Sequence, residues 1–216
     1  MIESASMSPA SAEVPVSDPT NTAIIRPIAN DAELTLVHRL THDCYVSQGY
    51  ARPQPNGRLT HYADFDGLPQ TTVIVAICQD EVVGSVSLTV DGPWGLTVDN
   101  DFKKVCDSLR YEGRSLAVIW RLVMKPSLKS SRRILMDLFK ETADFAMRQG
   151  ANSGLVTVNP RHKSVYQRLF NATEVSIKNT TKGLNDAPAV LLRADFEKFP
   201  EFWKTLVESS PLRRAA

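Results

Sequence analysis

The segment from Gly113 to Met136 constrains the fold most, because it joins an apolar run to an amphipathic helix through a basic junction. Ser115 to Met124 is short, apolar and rich in branched or aromatic side chains, which predicts a buried strand. Apolar residues then recur at helical spacing up to Gly150, which predicts a helix that ends near this glycine. The segment contains no acidic residue, and its basic residues are Arg114, Arg121, Lys125, Lys129, Arg132 and Arg133. We therefore predict an anionic partner at the junction.

Length and charge limit what kind of protein this is. The chain has 216 residues and a formal net charge of +1, so the basic segment is a local feature. This balance favours one domain with a compact acidic partner over a nucleic-acid binder. Cys44, Cys78 and Cys106 are widely spaced and odd in number, which predicts neither a disulfide framework nor a thiolate zinc site and suits a reducing cytoplasm. Residues 1–22 predict a disordered tail that is neither a signal peptide nor a membrane span.

Hydrophobic periodicity predicts a mixed order of helices and strands over residues 23–198. For the final residues, 199–216, we predict a tail that contains one more helix, packed through Phe202, Trp203 and Leu206. Gly49 to Pro69 is rich in Gly and Pro and predicts a long loop of functional importance or mobility. The other predicted elements, in chain order, are a short strand from Ile24, a helix at Asp31–Ser47, a hairpin of Thr72–Cys78 and Val82–Val90, a helix at Asp101–Leu109, a strand at Leu155–Val158, a helix at His162–Phe170, and strands at Thr173–Ile177 and Ala189–Ala194.

Short motifs in a fixed order resemble a known family. The motifs are Arg39-Leu40, Tyr45-Val46, Gly49-Tyr50, Gly84-Ser85-Val86-Ser87-Leu88, Asp91-Gly92, Gly95-Leu96, Leu109-Arg110, Gly113-Arg114-Ser115-Leu116-Ala117, Arg121-Leu122-Val123-Met124 and Asn159-Pro160-Arg161. Together they resemble the GNAT N-acyltransferase superfamily and, within it, the FeeM-type N-acyl amino acid synthases, which are relatives of the N-acyl-homoserine-lactone synthases. The resemblance covers residues 24 to 177.

The resemblance implies a fold and a reaction. The fold is an α/β (α+β) domain of GNAT type, with a mixed, mostly antiparallel, splayed sheet flanked by helices. The reaction is transfer of a long-chain fatty acyl group from the phosphopantetheine thioester of acyl carrier protein to the amine of an amino acid. The amine attacks directly, and no cofactor is bound permanently. Two alternatives stay open, namely an acetyl-CoA-dependent N-acetyltransferase and a non-catalytic module that binds acyl carrier protein or lipid.

The same resemblance assigns residues to the acyl donor. Leu122, Val123 and Met124 lie on the strand whose backbone holds pantetheine and the thioester carbonyl, and Asn159 is placed to bind a pantetheine amide. Tyr166 is placed to protonate the leaving sulfur. Asn159 is equally consistent with an ordinary turn before Pro160. Tyr166 also falls on an apolar stripe typical of a core.

The general base is where this chain departs from its relatives. Related synthases commonly have Glu three residues before Arg121, where this chain has Val118. Either Asp64, Asp66 or Glu112 takes the proton through water, or the amine arrives neutral. An inactive carrier-binding relative also stays open. The lactone-forming branch is disfavoured because Ser87 stands where those enzymes tend to have Arg.

Other candidates surround the acceptor and the acyl chain. A buried Arg121 needs a carboxylate, which belongs either to the amino-acid substrate or to a protein acid such as Asp64 or Asp66. Arg39 and Tyr45 are predicted on the acceptor side, against an alternative of helix surface and core. Four aromatic residues are predicted either to line an acyl tunnel or to pack in the core, and these are Phe65, Trp94, Phe102 and Trp120.

The basic junction contains no glycine between Lys125 and Arg133, so a backbone nest for a CoA pyrophosphate is disfavoured. We predict instead that Lys125, Lys129, Arg132 and Arg133 dock the phosphate and acidic helix of a carrier protein. The alternative is a solvated charged face. His38 and His42 share one helical face but lack a nearby third ligand, so no metal site is predicted.

Overall fold

The protein is described by a computed structural model over residues 23–126, 131–181 and 187–199. The strands are β1 (Ile24–Pro27), β2 (Thr71–Cys78), β3 (Glu81–Val90), β4 (Leu116–Met124), β5 (Ser153–Val158), β6 (Thr173–Lys178) and β7 (Ala189–Asp195). The helices are α1 (Asp31–Ser47), α2 (Asp99–Tyr111), α3 (Ser131–Arg148) and α4 (Lys163–Phe170). The predicted helices and strands in these ranges are confirmed. The predicted N-terminal tail and C-terminal helix lie outside the described residues.

The strands form a sheet in the order β1-β2-β3-β4-β5-β7-β6. Neighbours are antiparallel except for the parallel pair β4 and β5. The β4–β5 ladder runs from Leu116 opposite Ser153 to Ile119 opposite Val156 and ends there, although both strands continue. The two strands therefore separate towards their carboxyl ends. The predicted mixed, mostly antiparallel, splayed sheet is confirmed.

The helices cover the two faces of the sheet. On one face, α1 packs mainly on β3 and β4 through Val37 and Leu40, and α2 joins a core cluster with β4, β5 and β7 through residues that include Phe102 and Cys106. On the other face, α3 packs through apolar residues that include Leu138, and α4 contributes Phe170. This division follows from the side-chain period of two along each strand, which sends neighbouring residues to opposite helical layers.

Strand β4 contains a bulge at Arg121. Ser87 of β3 pairs with Trp120, whereas Ser85 pairs with Val123, so two residues of β4 oppose Val86 alone. Arg121 adopts a left-handed backbone with φ of 49°, a conformation that costs a non-glycine residue about 1–3 kcal/mol. The extra residue shifts by one the alternation of side chains between the two faces of the sheet. As a result, Trp120 and Val123 point to the same face. The bulge lies where β4 and β5 separate.

Candidate active site

A cavity of about 520 Å³ occupies the gap between the separated ends of β4 and β5. This volume is typical of small-molecule sites, which measure about 300–1,000 Å³. Its walls come from α1, the segment that follows α1, the residue before α2, β4, β5, the turn after β5 and α4. The wall residues include Tyr45, Tyr50, His61, Tyr62, Val98, Val118, Trp120, Arg121, Leu122, Asn159 and Tyr166. Residues far apart in the chain thus meet at the splay.

A second depression, of about 540 Å³, lies at the other end of β4 and is more open to solvent. Its charged groups are already engaged with protein carboxylates, because Arg110 binds Asp91 and Arg114 lies 3.4 Å from Asp195. The deeper cavity at the splay combines an apolar wall with titratable groups. For this reason we take the splay cavity as the candidate active site.

The end of β4 presents its backbone to the splay. Leu122 lines the cavity and, like Met124, also packs against the α3 side of the core, whereas Val123 packs against α1. The Met124 carbonyl accepts a hydrogen bond from Cys44 Sγ at 3.3 Å. Of the three predicted donor-binding residues on this strand, Leu122 therefore lines the cavity, whereas Val123 and Met124 pack in the core.

Asn159 and Tyr166 face the cavity from the β5 side. Asn159 also caps a short turn, because its Oδ1 accepts from the Arg161 backbone N–H at 3.1 Å. The Tyr166 ring contacts Phe139 and Phe170, with centroid distances of 6.4 and 5.6 Å. Burial raises the pKa of Tyr166 to about 12, so its phenol is protonated at neutral pH. Asn159 therefore both caps a turn and lines the cavity, and Tyr166 both packs in the core and lines the cavity.

Arg121 is held by a protein carboxylate. Its Nη1 and Nη2 donate to the two Asp66 carboxylate oxygens at 2.7 Å each, and Nη1 also donates to the Thr60 carbonyl at 2.9 Å. Its Nε donates to Ser87 Oγ at 3.0 Å, so four of the five guanidinium N–H groups are used. The Arg121 side chain is fully buried. A substrate carboxylate therefore meets an Arg121 that is already neutralised.

Asp66 also contacts α1, because His38 Nε2 lies 2.9 Å from Asp66 Oδ2. Burial on its own would raise the pKa of Asp66, but hydrogen bonds from His38 and Arg121 outweigh burial and lower this pKa. Asp66 is thus an ionised link between the α1–β2 segment, α1 and β4. It holds one wall of the cavity in place.

The other carboxylates predicted as bases lie elsewhere. Asp64 is exposed on the 3-10 turn Ala63–Phe65, one side of which faces solvent, whereas Asp66 after the turn points inwards. Glu112 follows α2 and is exposed beside Ser108. The structure does not bring Asp64 or Glu112 to the cavity. Sequence spacing missed this because the direction of each side chain depends on a turn that only packing fixes.

Several predicted acceptor and tunnel residues also lie outside the cavity walls. Arg39 is exposed on α1, and Trp94 is 67% exposed in the turn after β3. Phe102 is buried in the α2 core, and Phe65 packs against that core. Tyr45 and Trp120 line the cavity. The other four residues lie at the surface or in the core, which the sequence had left open as the alternative.

An aromatic cluster forms the end of the cavity nearest α1. The His61 ring lies 4.2 Å from the Tyr62 ring centre, 5.5 Å from Tyr45 and 6.3 Å from Trp120. Trp120 is fixed by donation from Nε1 to Thr89 Oγ1 at 3.0 Å, and the Arg121 guanidinium lies 4.6 Å from the Trp120 ring centre. This wall is apolar in character and carries one titratable imidazole.

His61 is a titratable cavity residue that sequence reasoning missed. Burial and then the charge of Arg121 lower the pKa of His61 to about 4, so its imidazole is neutral at pH 7. Its backbone is left-handed, with φ of 61°. The local sequence gave little signal, because a single His in a Gly- and Pro-rich segment has no periodic pattern around it.

A polar contact bridges the two sides of the cavity. Tyr50, after α1, has its hydroxyl 3.1 Å from His162 Nε2 and also accepts from Arg161 Nη2. The Arg161 guanidinium lies 5.1 Å from the Tyr50 ring centre. The segment predicted as a long loop is thereby joined to the turn that follows β5.

The basic residues of the 113–136 segment do not form one surface. Arg121 is buried against Asp66, Arg114 lies near Asp195, and Lys125 binds Glu81. Arg132 and Arg133 are exposed in the first turn of α3, with Arg133 Nε 3.9 Å from Asp137. Lys129 lies outside the described residues. Basic residues that are close in sequence therefore lie apart in the structure. Among the described residues, the docking prediction rests on Arg132 and Arg133.

His38 and His42 have separate partners, because His38 binds Asp66 and His42 binds Asp43 and the Gln54 backbone. Within residues 23–126, 131–181 and 187–199, no group of three or more His, Cys, Asp or Glu side chains is arranged to hold a metal ion. No helix in the described part of the chain has the length and apolar character needed to cross a membrane.

Comparison with solved structures identifies the class of fold. FeeM, an N-acyl amino acid synthase from uncultured soil microbes, aligns with a TM-score of 0.71 at 22% identity over 85% of this chain and 94% of that chain. The CoA-dependent acyl-homoserine lactone synthase BjaI aligns with a TM-score of 0.61 at 16% identity, over 88% and 92% of the two chains. An aminoglycoside 6'-acetyltransferase type Ii aligns with a TM-score of 0.54 at 13% identity, over 80% and 97%. The fold is that of GNAT-like acyltransferases.

A family model narrows this class. The model of the N-acyl amino acid synthase FeeM matches residues 36–195, which is most of the chain. The protein therefore belongs to the FeeM N-acyl amino acid synthase family and is an N-acyltransferase, as the sequence motifs predicted. No curated protein sequence matches this chain.

Proposed function

We propose that the protein transfers a long-chain fatty acyl group from the thioester of acyl carrier protein to the amine of an amino acid. The observation that carries the proposal is the splay of β4 from β5, which opens into a cavity with an aromatic end. An extended pantetheine arm would take the place of β5 beside the end of β4, by the backbone pairing that extended ligands make with strand edges. The acyl chain and the acceptor would meet at the cavity.

The chemistry follows from the residues at the splay. The neutral amine attacks the thioester carbonyl carbon, a C–N bond forms, and the C–S bond breaks. The amine loses one proton, and the pantetheine thiolate gains one from the Tyr166 phenol. Backbone N–H groups of β4 near Leu122 would stabilise the oxyanion. Because Asp66 already neutralises Arg121, its role in this proposal is to position the cavity wall.

The choice of donor rests on the surface beside the splay. Arg132 and Arg133 are exposed at the start of α3, the helix that follows β4, so they lie at the end of the sheet where the splay opens. Cations in the first helical turn are mildly unfavourable, and an acidic partner would reverse this penalty. A carrier protein presents a phosphate and acidic residues to such a surface.

The direct test compares donors. Purified protein is incubated with amino acids and either fatty acyl carrier protein or fatty acyl-CoA of the same chain length, and products are identified by mass spectrometry. The proposal expects N-acyl amino acids with the carrier-protein donor at a higher kcat/KM than with CoA. Preference for acyl-CoA would contradict the proposed donor. Acetylated small amines from acetyl-CoA, without long-chain products, would support the acetyltransferase alternative.

Charge reversal tests docking. The double variant Arg132→Glu/Arg133→Glu should raise the KM for acyl carrier protein several-fold, because steering by exposed charges acts mainly on association. The amino-acid KM should stay unchanged. Lys140→Glu/Arg148→Glu, further along α3, is the matched control with the same change in net charge. If both double variants bind carrier protein equally at low salt, the docking surface is elsewhere.

A further inference from the structure

The proton released by the attacking amine lacks a carboxylate acceptor among the residues assigned to the cavity. Val118 is a fully buried apolar wall residue. Asp64 and Glu112 are exposed outside the cavity. Asp66 has both carboxylate oxygens bound by Arg121, and one of them also by His38. A proton acceptor therefore has to be sought among the other groups that line the walls.

His61 meets the geometric requirements for this role. It lines the same cavity as Leu122 and Tyr166, and its ring packs between Tyr45 and Tyr62. Its left-handed backbone sits five residues before Asp66, whose bonds to Arg121 fix the segment. A packed ring on an anchored segment is oriented before substrate arrives, which is what efficient proton transfer requires.

We propose that His61 is a catalytic residue that accepts the proton of the amine as the C–N bond forms. This inference rests on the proposed function. The amine nitrogen gains the acyl carbon and gives one proton to an imidazole nitrogen of His61. Tyr166 gives a proton to the departing sulfur. After product release His61 loses its proton to solvent and Tyr166 regains one, so no oxidant or further reactant is required.

The electrostatic surroundings favour a neutral imidazole. Burial and the Arg121 charge lower the pKa of His61, while Asp66 partly opposes them. Tyr45 and Tyr62 pack against the ring, and burial raises the pKa of both phenols, so neither supplies a negative charge. A base this weak does not deprotonate a free ammonium. It acts once the nitrogen has bonded to the carbonyl carbon and become far more acidic.

The test uses two substitutions that suit the left-handed backbone. Asn populates φ above zero more readily than most residues, so His61→Asn removes the base with little strain, and His61→Gly also leaves room for added imidazole. His42→Asn, which makes the same change at a histidine of α1 outside the cavity walls, is the matched control. Kinetics are measured on full-length protein with acyl carrier protein and the best amino acid, and folding is checked by thermal unfolding.

We expect kcat to fall by about 10²-fold or more in both His61 variants, with smaller changes in KM. Added imidazole should restore turnover in His61→Gly and leave His61→Asn unchanged, a difference that a purely structural role would not produce. A folded His61→Asn with wild-type kcat, or a folded His61→Gly that imidazole does not rescue, would overturn the inference. If wild-type protein acylates no amine, the proposed function fails first, and this outcome is distinct from loss in the variants alone.

Discussion

Two arginines of this molecule, Arg110 and Arg121, each bind aspartates, yet they hold different parts of the fold. Arg110 on α2 donates to Asp91 at 2.6 Å and to Asp99 at 2.8 Å, and its side chain is 25% exposed. Arg121 on β4 donates to Asp66 at 2.7 Å with no side-chain exposure. The first network is solvated at its edge, whereas the second lies beneath the cavity.

The two arginines also differ in backbone conformation and in the elements that they connect. Arg110 lies near the end of a helix and ties α2 to the turn after β3. Arg121 occupies a left-handed bulge and ties the segment containing Asp66 to the cavity wall. The same ion-pair chemistry therefore stabilises the scaffold in one place and shapes the candidate active site in the other. Burial and backbone strain, more than charge, distinguish the second network, which borders the candidate active site.

The largest expected effect comes from Arg121→Met. It leaves the Asp66 charge buried without its main partner, which should lower the free energy of unfolding by about 3–5 kcal/mol. Turnover should fall as well, because the segment carrying His61 loses its anchor. Urea unfolding and steady-state kinetics measure the two effects. The double variant Arg121→Met/Asp66→Leu should recover part of the stability but not the activity, and a single variant as stable as wild type would contradict this account.

Tyr166→Phe should separate catalysis from stability. Loss of the phenol proton should lower kcat by about 10²-fold, because the leaving thiolate then departs without an acid. The free energy of unfolding should change by less than about 1 kcal/mol, since the ring keeps its contacts with Phe139 and Phe170. Rapid-quench measurement of acyl transfer is the readout. Unchanged transfer would assign Tyr166 to the core alone.

Arg110→Met should lower stability without lowering activity. Its partners are partly solvated, so the free energy of unfolding should fall by only about 1–2 kcal/mol. The kcat/KM of the folded enzyme should match wild type, because the network lies at the far end of β4 from the splay. A large loss of kcat/KM in folded Arg110→Met protein would remove the distinction between the two networks.

The smallest expected effect is a pH dependence shared by both networks. Burial would raise the pKa of Asp66 and of Asp99, but hydrogen bonds that include those from the arginines lower both below their ordinary value of 3.8. Below this value the unfolded state binds more protons than the folded state. The associated stability is thus present above about pH 3.8 and is lost as the pH falls through the folded pKa.

Unfolding measured from pH 5 downwards checks this sign. In Asp66→Asn and in Asp99→Asn, the free energy of unfolding should fall less steeply with decreasing pH than in wild type, because each variant lacks one titrating carboxyl group. If the free energy of unfolding of either variant fell as steeply with pH as in wild type, the replaced aspartate would not contribute to the pH dependence.

Local patterns in the sequence determined the elements and the family of this protein. The helix at Asp31–Ser47 and the hairpin of β2 and β3 follow from periodicity that each segment carries within itself. The order of short motifs then indicated the acyltransferase fold. It also singled out Leu122, Asn159 and Tyr166, which line the splay cavity and whose catalytic roles stay predictions. The elements and the family were predictable because secondary structure and strand position depend on nearby residues.

Tertiary structure alone decided which side chains meet. Nothing local shows that β4 contains a bulge at Arg121, because a bulge depends on register with β3. Nor does spacing distinguish inward Asp66 from outward Asp64, or reveal that the rings of His61 and Tyr45 are in contact at one end of the cavity. Each of these contacts joins segments separated by many residues. Such pairings are fixed by the packing of the whole sheet and its covering helices, and no short stretch of sequence contains that information.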